Sequence, residues 1–315
     1  MNFARKSLPF NPTQDIPSLH GKVILVTGGT NGLGKQSVLE YSKHNPALIW
    51  LAARNPAKAQ AAVEEIQSQL PRPIAANIKL LELDLSSFDS VKKAASIVLA
   101  ECQRLDILIL NAGIMAVPPG LTANGHEVQF GTNYLGHALL AMLLMPLLEK
   151  TATASIPQSD ARIILVSSHG HIYAPKPQGI RYETLRANGH SLGPYEGYGQ
   201  SKLAMILWAK EAARRYPRIT VVSVHPGVVR TNLMDNATGS PCWVRVLGKV
   251  ASKVVSSVEQ GVRNQLWASV SAHVVSGCYY EPVGIGGLET EIAKDGNLAR
   301  GLWEWTEGEI RQYLG

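Results

Sequence analysis

Lys22-Val-Ile-Leu-Val-Thr27 runs directly into Gly28-Gly-Thr-Asn-Gly-Leu-Gly34, and a helix-like segment, Lys35 to His44, follows at once. A short apolar run that ends in glycines reads as a buried strand, a tight turn and the start of a helix. Gly28 permits a sharp exit from the strand, Gly32 lets backbone approach a pyrophosphate, and Gly34 lets the helix pack closely with its N-terminus aimed at phosphate. The spacing is G-x-x-x-G-x-G rather than G-x-G-x-x-G. A glycine cluster alone is often an ordinary turn, and its place after the first strand is what points to a dinucleotide.

Outward from this turn the pattern repeats. Ala47 to Ala53 precedes Asn55-Pro56 and an alanine-rich amphipathic segment to Leu70, and Ile78 to Leu83 precedes Ser86 to Ala100. Further apolar runs at Leu105 to Leu110, Arg162 to Ser167 and Ile219 to Val224 are each followed by a helical pattern, with a late run around Gly277 to Glu281. Units of roughly thirty residues are strand-helix-strand crossovers. The expected fold class is therefore α/β, a doubly wound parallel sheet of about seven strands covered by helices on both faces. Residues 1–18 read as an exposed arm and 19–315 as one domain, with insertions near 170–196 and 231–257. Ligands of such sheets bind beyond the carboxyl ends of the strands, so these insertions are candidate pocket walls or else surface decoration.

Bulk properties exclude several classes. With 315 residues and 45% hydrophobic content the chain can bury a large core. The net charge of +6 is scattered, with nothing denser than pairs such as Lys92-Lys93, so nucleic acid is not an expected partner. Cys102, Cys242 and Cys278 show neither C-x-x-C nor disulfide-rich spacing, which fits a reducing compartment such as the cytoplasm. The longest apolar run, Ala138 to Leu148, is about half of what a membrane span needs. His169 and His171 lack further ligands at metal spacing and read as loop histidines, and no G-x-S-x-G elbow surrounds Ser167 or Ser168.

The reactive residues come in a fixed order along the chain. Tyr198-Gly-Gln-Ser-Lys202 places a phenol and an ammonium on one helix face, where the cation can stabilise the ionised phenol and pull it from about 10 towards working pH. Ser168, at a strand end, can donate to a carbonyl oxygen that Tyr198 protonates. Asn111-Ala112-Gly113, also at a strand end, lets a ribose lie against backbone, and Asn133 in Asn133-Tyr-Leu-Gly-His137 is satisfied internally or holds a water. Ala52-Ala53-Arg54 ends the second strand, with no Asp or Glu between Glu40 and Glu64. NADP(H) is thus expected over NAD(H), unless Arg54 merely begins the next helix in solvent. Asp84 either bonds an adenine amino group or caps a helix.

In this order the motifs resemble the short-chain dehydrogenase/reductase family, in its one-domain T-G-x-x-x-G-x-G form, from about Leu19 to Tyr280. The resemblance implies a Rossmann-type fold with Tyr198 as acid/base, Lys202 as its partner and ribose ligand, Ser168 as substrate orienter and Asn133 as holder of a relay water. It extends the coenzyme site to Thr30, Asn31, Leu33, Leu85, Pro226, Gly227, Val229 and Thr231, and no metal is implied. Two departures concern the coenzyme: Leu110-Asn111 stands for the usual doubled asparagine, and Asn31 for the basic residue common before the second glycine of NADP users. Asn-Tyr-Leu-Gly-His, His225-Pro-Gly227 and Ser256-Ser-Val-Glu-Gln-Gly261 are similar to the branch containing retinol dehydrogenases and WW-domain oxidoreductases.

The expected reaction is hydride transfer between NADP(H) and a carbonyl or alcohol. Met234, Trp243, Leu247 and Val250 suggest an apolar lid over a lipophilic substrate, or a stripe that packs on the chain itself. The rival readings are a non-catalytic scaffold on the same fold and a nucleotide-sugar epimerase. The apolar faces at Ala138 to Leu148 and Leu203 to Ala213 would form a homodimer or tetramer contact, or else core.

Overall fold

Strands β1 (Val23–Thr27), β2 (Leu48–Ala53), β3 (Ile78–Glu82), β4 (Ile107–Leu110), β5 (Ala161–Val166), β6 (Ile219–Val224) and β7 (Tyr279–Tyr280) pair in the order β3-β2-β1-β4-β5-β6-β7. Every pairing is parallel. This computed structural model describes residues 7–71, 76–154, 160–186, 192–229 and 256–314. The expected doubly wound sheet is the one found, and strand order reverses between β1 and β4, the crevice where such sheets take dinucleotides.

Successive side chains of a strand point to opposite faces, so β1 feeds two cores at once. Val23 and Leu25 join one core while Ile24 and Val26 join the other. The second core takes the apolar faces of α1 (Gly32–Ser42), α2 (Pro56–Gln69) and, later in the chain, the helix Arg263–Val270. The first takes those of α3 (Phe88–Glu101), α4 (Gly136–Ala152) and α5 (Pro194–Arg215). Numbered in chain order, Arg263–Val270 is α6, and the last helix, α7, spans Gly296–Leu314.

The structure adds to the sequence expectations at three places. The N-terminal segment is no exposed arm over its described part: Phe10 and Ile16 are buried in the second core, and the Leu8 amide donates to the Val283 carbonyl at 2.9 Å. The apolar run at Ala138 to Leu148 lies in a continuous helical stretch, Val128–Ala152, long and apolar enough to cross a membrane. Its most apolar window is 78% buried within the fold, as a core helix would be. Finally, α7 lies over α5: Trp303 stacks on Trp208 with ring centroids 5.4 Å apart, and the Tyr134 and Thr306 hydroxyls meet at 2.6 Å. Of the two readings of the apolar faces on α4 and α5, core packing is therefore the one that the structure displays.

Candidate active site

The end of β1 builds the first half of the site. Gly34 sits where a Cβ would stand 2.2 Å from the Gly28 carbonyl oxygen, so only glycine lets α1 start this close to the strand. Asn31 stands at the N-cap of α1 with no side-chain bond to the first turn, which leaves its backbone N–H groups for an anion. Gly28, Thr30, Gly32 and Leu33 are half-buried here and Asn31 is exposed. Arg54 is exposed just beyond β2. A glycine turn, an uncapped helix N-terminus and a guanidinium at the second strand end fit a phosphorylated dinucleotide.

Of the two readings of Asp84, the helix cap is the one the structure does not display. Its Oδ1 accepts from the Ser86 amide at 2.9 Å and the Ser86 hydroxyl at 2.7 Å, and the cap of α3 is Ser87. Leu85 is buried in the first core, so only its backbone can reach a coenzyme.

Thr27 locks the end of β4 to the end of β1. Its hydroxyl oxygen accepts from the amides of Asn111 and Ala112 at 2.9 and 3.0 Å, while Asn111 Nδ2 donates to the Thr27 carbonyl at 2.9 Å. The same hydroxyl lies 2.9 Å from Nε2 of buried His137, whose Nδ1 lies 2.8 Å from the Asn133 carbonyl oxygen. A carbonyl only accepts, so Nδ1 carries the proton and Nε2 accepts from Thr27. Burial holds His137 down to about 3, which keeps it neutral.

Asn133 lies in a π-helical turn, Gly131–Leu135, of the kind often found at functional sites. Its Oδ1 accepts from the Ile114 amide at 2.8 Å, and its Nδ2 donates to the Ile114 carbonyl and to Ser201 Oγ at 2.9 and 3.0 Å. Gly113 fills the gap between this amide and Lys202: a Cβ there would stand 3.4 Å from Asn133 Oδ1 and 3.6 Å from Lys202 Nζ. Asn111, Ala112, Gly113, Asn133 and Lys202 are thus one cluster.

Tyr198 and Lys202 share a face of α5, with Nζ 5.7 Å from the phenol ring centroid. Nζ donates to the Val166 carbonyl at 2.8 Å. The expected pull of the phenol towards neutrality is absent from this arrangement. Burial pushes Tyr198 up to about 12, against a hydrogen bond with Ser168, and pushes Lys202 down to about 7. Burial disfavours the charged form of each, so Tyr198 carries its proton at neutral pH and can donate it.

Two histidine rings brace the segment that carries Ser168. His171, read from the sequence as a loop residue, is buried: its Nδ1 donates to the Ser168 carbonyl at 2.8 Å and its Nε2 accepts from the Thr290 amide at 3.2 Å. The His169 amide donates to Nδ1 of His225 at 3.1 Å. Among the described residues no group of three His, Cys, Asp or Glu side chains is placed to hold a metal ion. Sequence reasoning misses these struts because a histidine's partner across the fold leaves no local trace. The one signal is the clustering of His169, His171 and His225 at two strand ends.

Beyond β6, Pro226 and Gly227 are half-buried, and Gly227 has φ +85°. Val229 is buried and bridged to Ser256, with Val228 exposed beside it. Thr231 and the expected lid up to residue 255 lie outside the described residues.

Comparison with known proteins agrees with this geometry. The family described as short chain dehydrogenase matches residues 22–184. The chain is 36% identical to the short-chain dehydrogenase/reductase drtF of Aspergillus calidoustus, covering 97% of this chain and 98% of that protein. It is 34% identical to human retinol dehydrogenase 13, covering 91% and 83%. A solved Mycobacterium paratuberculosis protein superposes with a TM-score of 0.72 at 29% identity, over 95% of this chain and 97% of that one.

Proposed function

Because this chain belongs to the short-chain dehydrogenase/reductase family, near its retinol dehydrogenases, we propose that it is an NADP(H)-dependent oxidoreductase interconverting a ketone or aldehyde and its alcohol on a lipophilic small molecule, such as a secondary metabolite, lipid, steroid or retinoid. The observation that carries this reading is the convergence of Ser168, Tyr198 and Lys202 beside the Asn111-Ala112-Gly113 strand end. The coenzyme, when bound, supplies or accepts the hydride.

The glycine turn and the N-terminus of α1 hold its phosphates, Arg54 takes the 2′-phosphate, and Lys202 reaches the nicotinamide ribose. In reduction Ser168 donates to the substrate oxygen and orients it, while the Tyr198 hydroxyl delivers its proton to that oxygen as negative charge develops there. Lys202, in its ammonium form, stabilises the phenolate left behind, and Asn133, bonded to Ile114 and Ser201, holds the end of β4 beside that ammonium. The three thiols, with neither C-x-x-C nor disulfide-rich spacing, support a cytoplasmic setting.

The test follows NADPH and NADH oxidation over ketones and aldehydes of graded size, with Tyr198→Phe in parallel. Turnover with NADPH on bulky apolar ketones, reduced by several orders of magnitude in Tyr198→Phe while coenzyme binding persists, is the expected result. Preference for small polar substrates removes the lipophilic assignment, and near-normal Tyr198→Phe turnover removes the mechanism.

A further inference from the structure

A second polar group stands at the strand ends that carry Ser168. Glu281 follows β7, and its Oε1 pairs with Nδ1 of His169 at 2.9 Å, while its Oε2 accepts from the Tyr279 hydroxyl at 2.6 Å. His169 follows Ser168 directly, and its amide is tied to His225. The Tyr279 ring packs 5.2 Å from His171, the residue that holds the Ser168 carbonyl. Two separate routes thus tie the Glu281 carboxylate to the segment that carries Ser168.

An ordinary surface ion pair is loosely held and contributes little. This one is anchored from behind by Tyr279, only 1% exposed, and open in front, with side-chain exposures of 47% for His169 and 19% for Glu281. It also lies where open α/β sheets take their ligands. Among the described residues each carboxylate oxygen has one donor and keeps a lone pair, so Glu281 can accept from a further donor. His169 Nδ1 faces Glu281, which leaves Nε2 for an outside partner. A hydroxyl both donates and accepts and can serve either group; an ether oxygen cannot donate, and a carboxylate is repelled.

We propose that the His169–Glu281 pair is a specificity element that binds a hydroxyl group of the substrate, so that the compounds turned over are hydroxylated ketones or aldehydes. This rests on the oxidoreductase reading above and narrows its substrate class. The remainder of the substrate lies against the half-buried Ile114 and Met115 beyond β4 and the exposed Val228 beyond β6. A lipophilic body with one hydroxyl within reach of the reacting carbonyl satisfies both walls.

The experiment compares acetophenone, its 2-, 3- and 4-hydroxy derivatives, the matching methoxy compounds and 4-carboxyacetophenone, with NADPH oxidation as the readout. At least one hydroxy isomer should exceed its methoxy partner in kcat/KM by about tenfold, mainly through KM, as one charge-assisted hydrogen bond provides. His169→Leu and Glu281→Gln should each collapse that ratio, and Glu281→Gln should improve 4-carboxyacetophenone severalfold, an effect that mere loosening of the fold does not produce. Coenzyme binding and the thermal midpoint identify a variant that has misfolded. A hydroxy-to-methoxy ratio near one for every isomer of the parent protein overturns the proposal without any variant, as does a ratio that survives both substitutions. In those cases ketone reduction itself stands; a protein that binds NADPH yet reduces none of these ketones loses the oxidoreductase reading and this inference together.

Discussion

The ammonium nitrogen of Lys202 lies 2.8 Å from the backbone carbonyl oxygen of Val166, at the end of the strand that leads into Ser168. That contact fixes the charge one helical turn from Tyr198, and burial makes the charge titrate near neutrality, down to about 7.

A pH limb is the consequence of this titration. Lys202 is cationic below about 7 and neutral above it, while Tyr198, pushed up to about 12, stays protonated throughout the accessible range. Ketone reduction needs the protonated phenol and the cation that stabilises its phenolate. Its kcat/KM for coenzyme, which reports the free enzyme, should be level below about pH 7 and fall by about tenfold per unit above it. Lys202→Arg stays charged over the whole range and should be slower but without that limb. An unchanged limb in the arginine variant would assign the titration to another group.

Arg54 should set coenzyme choice. It is exposed at the end of β2, and no carboxylate lies between Glu40 and Glu64 to bind a free ribose hydroxyl. Removing one charge-assisted contact to a phosphate costs about 1.5–3 kcal/mol. Arg54→Ala should therefore raise KM for NADPH by about tenfold or more and leave KM for NADH nearly unchanged, as read in initial rates with either coenzyme. Equal losses for both would mean that Arg54 does not meet the 2′-phosphate.

Why some of this is legible in the sequence and some is not can be traced to particular residues. Strands of a parallel sheet are buried on both faces and read as unbroken apolar runs, so the apolar pattern locates Ile219–Val224 to the residue and β1, β2, β4 and β5 to within two. The reactive residues are visible because they stand at strand ends or share a helix face, places that sequence spacing identifies. β7 has two residues and carries almost no pattern. Helix α7 escapes the sequence reading although Ala299, Leu302, Trp303, Thr306 and Ile310 keep helical spacing on its buried side. The His137 strut joins Thr27 across 110 residues, and the upward shift of Tyr198 comes from burial; both depend on tertiary packing that no local window contains.

Acid should loosen the fold through its buried imidazoles. Burial holds His137 down to about 3 and His225 down to about 4, against about 6.5 when unfolded. Folded-state values below the unfolded one mean that the unfolded chain binds these protons first. Their stability contribution is complete above about pH 6.5 and is lost progressively as pH falls towards 4 and then 3. Each such group adds about 1.4 kcal/mol per pH unit to the slope of unfolding free energy within that window. Urea unfolding between pH 4.5 and 6 should show a slope shallower by about one proton in His137→Gln. An unaltered slope would mean that His137 is not the neutral strut between Thr27 and Asn133.

The stack of Trp303 on Trp208 makes α7 part of the core. Trp303 is 1% exposed, its ring plane lies 21° from that of Trp208, and the Arg215 guanidinium sits 4.8 Å from its centroid. Trp303→Ala leaves a cavity at the centre of this contact and should destabilise the protein by about 3–5 kcal/mol in urea unfolding. Because the underlying face of α5 is continuous with the buried Leu203, Ile206 and Leu207, any loosening of α7 uncovers apolar surface. The variant should then self-associate, with sedimentation velocity showing species larger than those the parent forms at the same concentration. A variant as stable and as dispersed as the parent would place α7 outside the cooperative core.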